Sequence, residues 1–191
     1  MKKRYIHVFG LLTVLFLASC NGREKELEEI REAAVQMDSV LRVNPVLTVE
    51  HKVMAEGLIS EYTEYVRNYP DDTLCAGFLM KSALLYQAMP LFKEELAMLD
   101  RLIEEYPESA YTQQALATAA RVSEDMLRDY PAARNYLTML KEKYPDGPYS
   151  SNIDLQIEYV GDPDGLLEAI MEKAGMSLDT VLTEASVDTV K

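Results

Sequence analysis

Tyr69-Pro70-Asp71-Asp72, Tyr106-Pro107-Glu108-Ser109 and Tyr144-Pro145-Asp146-Gly147 decide how this chain folds. The tyrosines are 37 and 38 residues apart, within the period range of helix-pair repeats. Proline disfavours helical geometry in the residue before it, so each tyrosine closes a helix. The acidic or small residues that follow can cap the next one. A further pair, Tyr130-Pro131, falls outside this spacing.

Upstream of the first two stops the apolar pattern superimposes. Ile59, Tyr62, Val66 and Tyr69 correspond to Leu96, Leu99, Ile103 and Tyr106, and steps of three and four residues put each set on one helix face. In the third copy Leu137, Leu140 and Tyr144 keep a stripe, while Arg134 and Lys141 replace two of its members. Ala83 and Ala120 also lie 37 residues apart, and small residues there let paired helices approach closely. Pro90, Pro131 and Pro163 suit the first turn of a helix, where a missing N–H costs little, and Asp162 suits an N-cap. The pattern predicts helices over 24–42, 48–68, 73–88, 90–105, 110–128, 131–143, 149–160 and 163–174, with Asn44-Pro45 separating the first two. The first, with Leu27, Ile30, Ala34, Met37 and Leu41 on one face, is expected to cap a stack. Residues 175–191 lose the period and read as a flexible tail.

The start of the chain has a different logic. Lys2, Lys3 and Arg4 precede an apolar run from Val8 to Ala18, about eleven residues, where a bilayer span needs roughly twenty. A basic head, a short apolar stretch and small residues make a secretory signal. The domain reading is therefore 1–19 signal peptide, 20–47 anchor, linker and capping helix, 48–174 repeat domain, and 175–191 tail.

Without residues 1–19 the chain has 172 residues, enough for one domain with its own core, and its 16 bases against 32 acids leave a charge of −16. Such a surface repels nucleic acid and anionic headgroups. Cys20 and Cys75 are the only cysteines. Cys75 lies in an apolar stretch with no basic neighbour before Lys81 and is expected to be a small buried residue.

The residues do not point to catalysis. His51 is the single histidine beyond the signal, and it follows Thr48 at the start of a helix, where a surface position is expected. No metal set, cofactor loop or nucleophile motif is present in the sequence. Asp162-Pro163-Asp164-Gly165 fails as a calcium loop because Leu166 and Leu167 stand where an oxygen ligand and a glycine belong. The acid pairs Glu28-Glu29, Glu94-Glu95 and Glu104-Glu105 are interspersed with Lys and Arg, which predicts solvated helix faces.

Two resemblances add to this reading. Leu17-Ala18-Ser19-Cys20 resembles the bacterial lipobox, which implies cleavage before Cys20 and a diacylglycerol on its sulfur. Two acyl chains make such an anchor effectively stable. Asn21 resembles the outer-membrane sorting choice. The Tyr-Pro stops and small residues over roughly residues 50–175 resemble tetratricopeptide repeats, although the usual period is about 34. The strings Tyr69-Pro70-Asp71-Asp72 and Asp129-Tyr130-Pro131-Ala132-Ala133 are most similar to Gram-negative envelope lipoproteins, the Bacteroides group in particular.

The resemblance implies an all-α fold, a short α-solenoid of helix pairs, that binds another envelope protein along a concave groove. Its role would be as an accessory of outer-membrane assembly or envelope maintenance. Laid on this chain, the repeat consensus points Gln87, Gln114, Arg121 and Glu124 toward the groove, with Asn152 joining from the third pair. Arg121 is the cation placed to clamp a carboxylate. The rival reading is a lipoprotein for a soluble small ligand, a peptide or a glycan fragment. The absence of tryptophan argues against glycan stacking.

Overall fold

The computed structural model describes residues 2–43 and 47–175, and side chains from Gly22 onward. Asn44-Pro45, the side chains of Cys20 and Asn21, and the tail from Met176 lie outside these. The described residues form eight α-helices and no strand, so the fold is all-α. They are α1 (Lys2–Val43), α2 (Val49–Asn68), α3 (Cys75–Ala88), α4 (Phe92–Glu105), α5 (Thr112–Arg121), α6 (Tyr130–Lys143), α7 (Ile153–Glu158) and α8 (Pro163–Lys173). A π-helical turn, Val122–Met126, follows α5 directly. The chain divides into two compact units, residues 1–90 and 91–191.

The three Tyr-Pro turns share one geometry. Tyr69, Tyr106 and Tyr144 adopt φ/ψ of −134/57°, −129/55° and −134/58°, off the helical region because a proline follows. Each N–H closes its helix on the carbonyl four residues back, of Tyr65, Leu102 and Leu140. Each tyrosine carbonyl then accepts the N–H three residues on, from Asp72, Ser109 and Gly147 at 2.9, 3.0 and 3.0 Å. It also accepts a side-chain hydrogen six residues on: Cys75 Sγ at 3.1 Å, Thr112 Oγ1 at 2.8 Å and Ser150 Oγ at 2.5 Å. The carbonyls that a terminated helix leaves over thus find donors inside the turn. Cys75 is buried, as its surroundings imply, and it serves as the thiol counterpart of Thr112 and Ser150.

In the first unit α2 lies between α1 and α3. It buries Ile59, Tyr62 and Val66 of the face expected from the spacing, together with Ala55, Leu58 and Tyr65, while Tyr69 is half-buried. Tyr62 stacks on Phe78 of α3 at 4.8 Å, and Tyr65 meets the same ring edge-on at 5.1 Å. Such aromatic pairs add about 0.5–1.5 kcal/mol each beyond their buried area. From α1, Ile30 and Met37 are buried against this face. The helix expected to begin at residue 24 runs unbroken from Lys2, because the stretch contains no proline and its glycines, Gly10 and Gly22, cost only about 1 kcal/mol each.

In the second unit α5 packs against both α4 and α6, and α7 joins α6 to α8. Leu99, Leu102, Ala115, Leu116, Ala119, Ala120, Val122, Ala133, Leu137 and Leu140 form its core. Arg134 and Lys141, which interrupt the third stripe, reach α7: Arg134 Nε donates to the Ile157 carbonyl at 3.1 Å and Lys141 pairs with Asp154. Asp162 caps α8 and Pro131 and Pro163 lie in first turns, as read from the sequence, and Asp129 caps α6 in the same way. Pro90 instead precedes α4, which begins at Phe92.

Two boundaries depart from the sequence pattern. The helix expected to end at 128 becomes π-helical at Val122. The chain leaves the helix at Arg128, at φ +56°, and the Leu127 and Asp129 N–H groups turn back to the Val122 and Ser123 carbonyls. Helix α7 is six residues long, whereas 149–160 was expected. Ser150 belongs to the turn, Asn152 takes φ +55°, and Gly161 at φ +88° ends the passage. His51 is half-buried rather than on the surface: Thr48 caps the helix by accepting its N–H at 3.4 Å, and Nδ1 is shielded from solvent.

Candidate binding site

The first unit carries an open groove of about 220 Å³ between α1, α2 and α3. Met37 and Leu41 from α1, Leu58 and Tyr62 from α2, and Leu84 and Leu85 from α3 give it an apolar lining. Leu84 is 47 % exposed, a large apolar side chain offered to solvent at the rim. Asp38 and Lys81 supply the charges, and Lys81 Nζ stands 5.9 Å from the centre of the Tyr62 ring. Burial, then the nearby charges of Asp38 and Glu61, push the Tyr62 phenol up to about 12, so it stays protonated at physiological pH. The groove can take up an apolar side chain and offers one cation and one anion beside it.

At the other end of this unit the middle of α1 is tied to the α2–α3 turn. Arg23 Nε donates to Tyr65 Oη at 3.0 Å and to Asp72 Oδ2 at 2.8 Å, and Tyr65 donates to the same carboxylate oxygen at 2.6 Å. Asp72 Oδ1 accepts the Leu74 N–H at 3.0 Å. Burial alone would raise the Asp72 carboxyl, but the bonds from Tyr65, Leu74 and Arg23 hold it below the usual range. Burial and the bond to Asp72 push the Tyr65 phenol up to about 12.

The five side chains that the repeat consensus singles out fall into different situations. Gln87 is half-buried on α3 in the first unit. The other four belong to the second. Gln114 and Arg121 lie two turns apart on α5, Gln114 half-buried and Arg121 exposed. Glu124 sits in the π-helical turn and its carboxylate accepts the Gly161 N–H at 2.8 Å. Asn152 accepts from Lys173 Nζ at 2.9 Å. Glu124 and Asn152 therefore tie the fold together at α7 and α8, and Arg121 is left as the exposed member of the set.

Sequence reasoning passed over the group that faces Arg121. Glu95, assigned with Glu94 to a solvated face, is 1 % exposed on α4 and so corrects that expectation, whereas Glu94, Glu28, Glu29, Glu104 and Glu105 are exposed as predicted. Burial pushes its carboxyl up to about 7, and the positive charge of Arg121 pulls the other way. Its step from Leu99 and Leu102 marks it as a core-facing position, which was the available signal. Among the described residues no group of His, Cys, Asp and Glu is placed to hold a metal ion, and no helix is long and apolar enough to cross a membrane. No protein-family model, curated protein or solved structure matches the chain.

Proposed function

We propose that this chain is a lipid-anchored adaptor of the bacterial cell envelope that binds another protein through a groove of stacked helix pairs and is not an enzyme. The observation that carries the reading is the open apolar groove of the first unit, with Leu84 exposed on its rim. At about 220 Å³ it is smaller than the roughly 300–1,000 Å³ of small-molecule sites, which favours a partner's inserted side chain over a free glycan or peptide fragment. The three superposable Tyr-Pro turns support a short α-solenoid of the tetratricopeptide kind. The lipobox-like end at Cys20 supports the anchor, and Asn21 favours the outer membrane.

Leu84→Asp tests the groove. A charge at this half-exposed position should leave helicity intact while it repels an apolar anchor. Lipidated protein purified from solubilised membranes should recover its partner at least tenfold less well, the about 1.4 kcal/mol or more expected of an anchor residue. Equal recovery by a folded Leu84→Asp protein rejects the groove. Fatty-acid label retained by Cys20→Ser rejects the anchor.

A further inference from the structure

The bonds that Arg23 and Glu26 make from α1 say where a lipid anchor would leave the folded body. Resting on the reading that Cys20 carries lipid, we infer that the body has no spacer: the end of the first unit formed by Arg23 and the α2–α3 turn is a membrane-facing surface, held at the headgroups of the bilayer. Cys20 and Arg23 belong to the same helix, three residues apart, which is about 4.5 Å of axial rise. Arg23 is bonded to Tyr65, which is fully buried, and to Asp72, whose side chain is 9 % exposed. One turn on, Glu26 accepts from Asn68 Nδ2 at 3.4 Å. The ordered body thus begins within one helical turn of the acylated sulfur.

Charge and composition at this end suit a lipid surface. Residues 22–26 and 67–74 hold three bases (Arg23, Lys25, Arg67) and four acids (Glu24, Glu26, Asp71, Asp72), nearly neutral in a mature chain of charge −16. The acidity that would repel headgroups lies elsewhere. Tyr69, half-buried, and Leu74, 42 % exposed, stand at the same turn, and an amphipathic ring with an apolar neighbour suits the interfacial layer. The opposite end of α2, at Val49, is about 30 Å away along a helix of twenty residues.

The ordering of two sites tests this in the full lipidated chain. A donor dye on Thr73→Cys or on Val49→Cys is read by energy transfer to acceptor-labelled headgroups in phosphatidylethanolamine–phosphatidylglycerol vesicles. Both positions are exposed, and the buried Cys75 does not compete for the dye. Thr73 should lie markedly closer to the headgroups than Val49. Insertion of seven glycine and serine residues between Asn21 and Gly22 in the Thr73→Cys background should replace the helical tether by a coil, lengthening the donor–membrane distance by about 10 Å, since a seven-residue coil spans about 15 Å. Helicity should persist, because Ile30 and Met37 keep the rest of α1 packed. Equal transfer from the two sites, or a Thr73 distance unmoved by the insertion in a folded and acylated protein, overturns the inference while leaving the anchor standing. Absence of acyl label on the wild-type chain overturns both.

Discussion

Glu95→Gln should make this protein more stable at high pH and leave it nearly unchanged at low pH. The carboxyl is 1 % exposed and its affinity for a proton is raised by burial from the ordinary 4.5 to about 7. A raised carboxyl favours the folded state fully below the unfolded value, and that contribution fades as pH climbs through the folded value. Over this span the change amounts to about 3 kcal/mol, at about 1.4 kcal/mol for each tenfold difference in proton affinity. Glutamine keeps the shape and cannot ionise. For a chain of this length about 3 kcal/mol corresponds to roughly 6–12 °C in midpoint. Thermal melts of both proteins at fixed ionic strength should differ by that much at pH 8.5 and converge near pH 4.5. The remaining acids titrate in both proteins, so their effect cancels in the difference. A pH-independent gap, or a Glu95→Gln protein less stable than wild type at pH 8.5, would refute the burial argument. Because Arg121 opposes the shift, removing its charge should widen the gap at high pH.

Two further predictions concern the repeated turns. Thr112→Val removes the 2.8 Å bond to the Tyr106 carbonyl from a side chain 1 % exposed and should cost about 1–2 kcal/mol by urea denaturation, whereas Thr112→Ser and Thr112→Cys, the donors of the sister turns, should recover most of it. Gly147→Ala would bring a Cβ within 1.7 Å of Gln113 Nε2 and 2.7 Å of its Cδ, so it should cost about 1–3 kcal/mol, relieved by shortening the neighbour in Gly147→Ala with Gln113→Ala.

What the sequence reveals of this fold follows from how strongly each local signal constrains the backbone. A proline disfavours helical geometry in the residue before it, and Tyr69, Tyr106 and Tyr144 end their helices where the pattern places the stops. Apolar spacing places the stripes of α2 and α4, and Asp162 with Pro163 marks the start of α8. The signal fades where the same task falls to chemically different residues. Cys75, Thr112 and Ser150 do one job at one position, yet a thiol, a secondary alcohol and a primary alcohol share no letter in the sequence. The π-helical turn after Arg121 is likewise invisible, since it arises from two carbonyls, of Val122 and Ser123, that capture N–H groups across an awkward exit before Pro131.

The binding residues were harder to read for a physical reason. Polarity on a helix face does not distinguish a side chain that awaits a partner from one that satisfies the fold. Glu124 and Asn152 look available by spacing, but the Gly161 N–H in the turn after α7 and Lys173 at the end of α8 donate to these two side chains. Arg134 and Lys141, which look like flaws in an apolar stripe, meet a carbonyl and a carboxylate of that same helix. The terminal helices thus draw on polar bonds where the inner ones use apolar contact, as their smaller buried area requires: α8 has no fully buried residue. The groove of the first unit is the converse case. Its rim residue Leu84 belongs to a helix whose apolar residues run around nearly the whole circumference, so no stripe separates the side that α2 covers from the side left open. Only packing makes that distinction, and it leaves apolar surface at Leu84 while Glu95 goes into the core of the second unit.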